Sequence, residues 1–117
     1  MAQTLPSMEV GLPGNPPVEK LEALSQVNGL ILDVDGVLFE GQRLLPGAIE
    51  LIAFLKKSGT PFVYLSNNTT FPLEHHIEKL SRLGPPVLPA SIITAARVTA
   101  QVLAHEAEPG TCCLVIG

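Results

Sequence analysis

The fold is decided by residues 30–36, which read LILDVDG, a short apolar run that ends abruptly in two aspartates and a glycine. An apolar run of this length, bounded by a turn signal, is typical of a buried strand whose carboxyl end reaches the edge of a sheet. Asp33 and Asp35 lie two residues apart, so in an extended chain their carboxylates project to the same side. Two carboxylates held close together differ in proton affinity, which suits one as a nucleophile and the other as an acid and base.

The same aspartates have a simpler interpretation, as turn-forming residues in front of Gly36. The sequence does exclude a calcium-binding EF-hand loop beginning at Asp33. Such a loop would carry Val37 and Leu44 at positions where oxygen ligands are required.

A second apolar run, FVYL at residues 62–65, predicts another buried strand and is followed directly by Ser66 and Asn67. Because parallel strands open on the same edge of a sheet, these polar residues are expected near the aspartates. A serine hydroxyl and the following backbone N–H groups are suited to hold phosphoryl oxygens. A polar cap for the helix that begins near Pro72 explains the same residues equally well.

Helices alternate with these strands along the rest of the chain. The apolar spacing predicts helices over residues 46–59, 72–84 and 95–107, the last with Val98 and Val102 facing inward, and strands over residues 92–93 and 112–116. This alternation predicts an α/β fold, an open parallel sheet with helices on both faces.

The first 26 residues differ from the rest, because they are rich in proline and lack apolar periodicity. They are predicted to form a flexible leader, with a short amphipathic helix over residues 18–24, and the core is expected over residues 27–117. Cys112 and Cys113 are adjacent in a β-like run and are predicted to be buried apolar residues in a reducing compartment.

The formal net charge of −4 argues against binding to nucleic acid, because that affinity comes from many cations on phosphates. The apolar runs are far shorter than the roughly 20 residues that cross a bilayer, so no membrane association is expected. The N-terminus lacks the basic and apolar regions of a secretory signal, which predicts a cytoplasmic protein.

Residues 30–38 (LILDVDGVL) and 63–68 (VYLSNN) together resemble the first two motifs of the haloacid dehalogenase superfamily of hydrolases. Residues 45–48 (LPGA) and 93–95 (ITA) are similar to the branch containing 4-nitrophenyl phosphatases, phosphoglycolate phosphatases and nucleotide phosphatases. The resemblance implies a Rossmann-like core and an Mg²⁺-dependent phosphatase that acts on a small phosphorylated metabolite through an aspartyl phosphate.

The resemblance also implies a role for each matching residue. Asp33 is the expected nucleophile, and Asp35 the acid that protonates the leaving alcohol and then the base that activates water. Asp33 and Asp35 are the expected Mg²⁺ ligands, through the carboxylate and the backbone carbonyl respectively. Ser66, Asn67 and Gly36 are expected to bind the substrate phosphate, and residues 36–45 to form a mobile flap.

The family's later lysine, later acidic pair and cap domain have no match here, so the chain is expected to be the N-terminal part of such an enzyme, ending where the cap begins. A dehalogenase is disfavoured because Asp35 is not needed to release a halide, whereas a phosphomutase stays open. The alternative is a catalytically incomplete remnant that acts as a weak phosphate-binding or interaction module. In that alternative a half-built parallel sheet would leave a hydrophobic edge exposed, which favours self-association or aggregation. The oligomeric state, a homo-oligomer included, stays open.

Overall fold

A computed structural model describes residues 26–116 of the chain, so the predicted leader and its helix over residues 18–24 lie outside the described residues. The elements within this range alternate strands and helices. The strands are β1 (Leu30–Asp33), β2 (Phe39–Glu40), β3 (Arg43–Leu44), β4 (Phe62–Ser66) and β5 (Ile92–Thr94), and the helices are α1 (Ala48–Ser58), α2 (Leu73–Ser81) and α3 (Ala95–Glu106). A 3₁₀ turn, Pro89–Ser91, leads into β5.

The main sheet has three parallel strands in the order β1-β4-β5. In its register Leu32 lies beside Tyr64, Tyr64 beside Ile92, and Asp33 beside Leu65. The parallel α/β fold predicted from the sequence is therefore confirmed. The segment after β1 adds a separate two-stranded antiparallel hairpin of β2 and β3.

The first helix illustrates how local sequence sets the boundaries. It ends at Gly59, whose φ of 68° is the left-handed conformation that favours glycine and whose N–H caps the carbonyls of Leu55 and Lys56. Lys56 and Lys57 occupy the last turn, where cations complement the helix dipole. The helix predicted over residues 46–59 is thus confirmed. It lies in the connection between β1 and β4.

One face of the sheet carries the core. The strand order moves in one direction, so right-handed crossovers place α1 and α2 on the same face. Buried residues from the strands, the hairpin and both helices form one cluster there, namely Leu32, Val34, Leu38, Phe39, Ala48, Ile52, Leu55, Tyr64, Leu80, Leu83 and Ile92. Alternation along the strands explains this, since residues two apart share a face.

The opposite face of the sheet is less covered within the described residues. Ile31 and Leu65 point to this side and are exposed, whereas Val63 and Ile93 are partly buried. Val98 and Val102 of α3 are exposed as well, so the prediction that they face inward is wrong.

Residues 112–116 differ from their predicted state. No strand forms there in the described part of the chain, and the predicted fourth strand is wrong. Cys112 and Cys113 are exposed rather than buried. An apolar alternating run becomes a strand only when another strand accepts its backbone hydrogen bonds, and β1, β4 and β5 do not pair with this segment.

Within residues 26–116, no helix combines the length and apolar character needed to cross a membrane.

Substitutions of two isoleucines in α1 test the placement of the core. Ile52 is 0% exposed and Ile49 is 46% exposed on the same helix. We expect Ile52→Ala to lower the free energy of unfolding by about 2–5 kcal/mol, because it leaves a cavity. The matched Ile49→Ala variant should change it by roughly 0.5 kcal/mol or less. Urea unfolding measures both, and equal losses would contradict the assigned core.

Tyr64 provides a spectroscopic test, since it is the chain's single tyrosine. Burial raises the pKa of Tyr64 above its ordinary value of 10.0. The ultraviolet absorbance of the phenolate should therefore appear at higher pH in the folded chain than in urea. Because the folded state disfavours the phenolate, the free energy of unfolding should fall as pH rises above 10.0, and Tyr64→Phe should remove this fall. Coincident folded and unfolded titrations would contradict the burial.

Candidate active site

Polar residues gather at the carboxyl ends of β1 and β4. Asp33 ends β1 and is the register partner of Leu65, so Ser66 follows one residue beyond that partner on the neighbouring strand. Parallel strands in an open α/β sheet present their ligand sites at this edge. The two motifs found in the sequence are therefore adjacent in the fold, although Asp33 and Ser66 are separated by an entire crossover.

Asp33 is exposed at the end of β1, and one of its carboxylate oxygens accepts a hydrogen bond of 2.9 Å from the N–H of Val34. The Val34 side chain is buried, which fixes the backbone that carries this donor. The second carboxylate oxygen has no partner among the described residues. The exposed carboxylate is thus oriented by its own backbone and open to a ligand.

Asp35 lies beyond the end of the strand, where it forms an isolated parallel bridge with Phe39. Its Oδ1 atom accepts a hydrogen bond of 2.8 Å from the ammonium of Lys79 on α2. The Lys79 side chain is 10% exposed and that of Asp35 is 39% exposed. Solvent reaches the Asp35 end of the pair but hardly the Lys79 end, and screening at Asp35 limits the contribution of the pair to folding to roughly 0–1 kcal/mol.

The turn between the aspartates and β2 is tightly hydrogen-bonded. Gly36 has a φ of 86°, and its N–H donates to the carbonyl oxygen of Phe39 at 2.6 Å. The N–H groups of Leu38 and Phe39 both donate to the carbonyl of Val34 at 3.0 Å. The Gly36 N–H is engaged within this turn, and the left-handed φ is a conformation that favours glycine.

Ser66 is buried, and its Oγ accepts a hydrogen bond of 3.3 Å from the N–H of Asn68. Asn67 is exposed at the same edge. The Asn68 side chain in turn accepts from the N–H of Thr70 at 2.9 Å. Strand alternation places the Ser66 side chain on the buried face of the sheet and that of Asp33 on the open face, so the two residues approach the edge from opposite sides.

A cavity of about 140 Å³ opens beside Asp35. Its volume is below the roughly 300–1,000 Å³ of typical small-molecule pockets, so it accommodates only part of a ligand. The lining combines polar, cationic and aromatic side chains from three segments, namely Asp35, Gly41, Gln42, Asn68, Phe71, His75, His76 and Lys79.

The two neighbouring histidines of α2 differ in burial. His76 is buried, and its Nε2 has no hydrogen-bond partner among the described residues. His75 is partly buried and stacks on Phe71, with ring centroids 4.1 Å apart. The histidine rings themselves are 6.4 Å apart and nearly perpendicular.

The contact of Lys79 with Asp35 was not predicted from the sequence. Lys79 belongs to a helix surface, and its partner Asp35 lies 44 positions earlier in the chain. No local spacing rule connects residues so distant, and only the packing of α2 against the hairpin brings them together.

A family model of haloacid dehalogenase-like hydrolases matches residues 30–117. The chain therefore belongs to the haloacid dehalogenase-like hydrolases, and the resemblance seen in the two motifs is confirmed. Among curated relatives, glycerol-3-phosphate phosphatase of Gallus gallus is 35% identical over 95 residues, which is 80% of this chain and 30% of the relative. This phosphatase relative supports the assignment of the chain to the hydrolases.

Solved structures give the same result for the fold. A hypothetical protein from Pyrococcus horikoshii has a TM-score of 0.63 at 42% identity, and 4-nitrophenylphosphatase from Thermotoga maritima has a TM-score of 0.64 at 28% identity. Each likeness covers 72% of this chain and 32% of the other. The chain thus spans about a third of the length of the relatives that it matches.

Proposed function

We propose that this chain supplies the nucleophile of an Mg²⁺-dependent phosphomonoesterase that acts on a small phosphorylated metabolite. The observation that carries the proposal is the parallel register of β1 and β4, which sets Ser66 one residue beyond the partner of Asp33. Membership of the haloacid dehalogenase-like hydrolases and the named phosphatase relatives support it.

In the first step a carboxylate oxygen of Asp33 attacks the phosphorus atom as the bond to the ester oxygen breaks. The leaving oxygen takes a proton from the Asp35 carboxyl, so an alcohol departs and an aspartyl phosphate remains. In the second step Asp35 accepts a proton from a water molecule that attacks the same phosphorus atom, which releases phosphate and restores Asp33. The exposure of Asp33 supports its role as the attacking group.

Ser66 and the backbone N–H of Asn67 would bind the phosphoryl oxygens, and Gly36 would shape the turn that brings Asp35 to the site. Phosphoryl transfer depends more on positioning and charge neutralisation than on covalent chemistry. A buried hydroxyl at the edge of a rigid sheet is suited to this work, because its position is fixed before the substrate arrives.

The residues present fit a magnesium ion, because they would supply part of its coordination shell. Mg²⁺ prefers hard oxygen ligands and commonly keeps several waters beside one or two carboxylates. The Asp33 carboxylate and the Asp35 backbone carbonyl are such oxygens. Among residues 26–116, no group of three or more acidic, histidine or cysteine residues is placed to hold a metal. When bound, the ion would neutralise charge on the phosphoryl oxygens.

A second candidate function is a weak phosphate-binding or interaction module without turnover. It is favoured by the absence of a third acidic ligand in the described part of the chain and by the exposed apolar residues Ile31 and Leu65. Binding of inorganic phosphate without hydrolysis of any phosphate ester would select this candidate.

Replacement of the nucleophile separates the two candidates. Asp33→Asn should abolish the transfer of phosphate from substrate to protein and lower turnover of 4-nitrophenyl phosphate by at least about 10³-fold, since amide nitrogen and oxygen are poor nucleophiles. Glu50→Gln, at an exposed carboxylate in the first turn of α1, is the matched control and should retain wild-type labelling and turnover. Undiminished phosphoprotein in the Asp33→Asn variant would rule the mechanism out.

A further inference from the structure

Two cations, one on α2 and one directly after it, lie against the turn and hairpin that follow β1. The Lys79 ammonium donates to Asp35 at 2.8 Å and lies 5.0 Å from the centre of the Phe39 ring. The Arg82 guanidinium donates to the Gln42 carbonyl oxygen at 2.7 Å and lies 5.5 Å from the same ring. Helix α2 and the residue directly after it therefore make one polar contact at the base of the hairpin and another near its tip.

This arrangement differs from an ordinary surface ion pair. The Lys79 side chain is largely buried, and Phe39 beneath it is fully buried, so the ammonium has a fixed support. A cation over an aromatic face gains further attraction when it is shielded from water. The Asp35 end is held too, because its backbone bridges to Phe39. Both partners of the Lys79–Asp35 contact are therefore held in place by Phe39.

We propose that Lys79 is a positioning residue that holds the Asp35 carboxylate toward the substrate edge of the sheet. This inference rests on the proposed function, in which Asp35 exchanges protons with the leaving group and water. Lys79 contacts Asp35 and neither Asp33 nor Ser66 by a hydrogen bond or ion pair among the described residues, so its effect on the reaction runs through Asp35.

The chemical consequence depends on the leaving group. When the bond from phosphorus to the ester oxygen breaks, an alkyl oxygen must take the proton from Asp35, whereas a 4-nitrophenolate is stable enough to leave without it. A mispositioned Asp35 therefore slows hydrolysis of an alkyl phosphate more than hydrolysis of 4-nitrophenyl phosphate. A purely structural role for Lys79 would slow both esters equally.

The test compares Lys79→Met with Lys57→Met, which removes an exposed lysine from the last turn of α1. For Lys79→Met we expect kcat for glycerol 3-phosphate to fall by roughly 10- to 100-fold, and kcat for 4-nitrophenyl phosphate to fall by less than about 3-fold. KM should change little for either ester. Lys57→Met should match the wild type, and Lys79→Arg should recover part of the loss. Equal losses on both esters would overturn the proposal.

A second measurement does not require turnover. In the full chain, labelled for nuclear magnetic resonance, Lys79→Met should shift the backbone amide signals of residues 35–42 and the side-chain carboxyl signal of Asp35, while Lys57→Met leaves them unchanged. Unshifted signals would overturn the proposal. If the wild-type chain hydrolyses neither ester, the proposed function fails, and the amide and carboxyl shifts still decide whether Lys79 holds Asp35.

Discussion

The parallel pairing of β1 with β4 is the constraint on which the rest of the structure depends. The register that buries Leu32 beside Tyr64 also sets Asp33 beside Leu65 and Ser66 one residue further. A slip of one residue would reverse the faces of the strand and expose the core residues to water. The hydrophobic pattern of the strands therefore fixes where the polar residues at their ends can lie.

The turn after β1 fixes the position of the second aspartate, Asp35. The N–H groups of Leu38 and Phe39 both donate to the Val34 carbonyl, and the buried Phe39 ring lies against Lys79 of α2 and Arg82 at its end. The helix that closes the core thus also contacts the segment bearing Asp35. Phe39 belongs both to the core and to the contacts around Lys79. A core substitution that moves Phe39 should therefore also move the Asp35 carboxylate.

The sequence was sufficient to predict β1, β4, β5, the helices α1 to α3 and the two motifs, because each has a local signal such as an apolar run or a glycine with a left-handed turn. It did not predict the hairpin of β2 and β3. It was insufficient where the outcome depends on distant partners. Residues 112–116 have a strand pattern but pair with none of the described strands, and Val98 has helical spacing but is exposed. The contact between Lys79 and Asp35 had no sequence signal, since it arises only from the packing of α2.

In the proposed function, the ends of β1 and β4 form one site for a phosphoryl group. The most direct test is to add Mg²⁺ and beryllofluoride, which mimics a phosphoryl group on aspartate, and to follow the backbone amide signals of the labelled chain. We expect the amide signals of residues 33–36 and residues 66–68 to shift together, and omission of Mg²⁺ or the Asp33→Asn substitution to prevent both changes. Shifts confined to one strand end, or none at either, would contradict it.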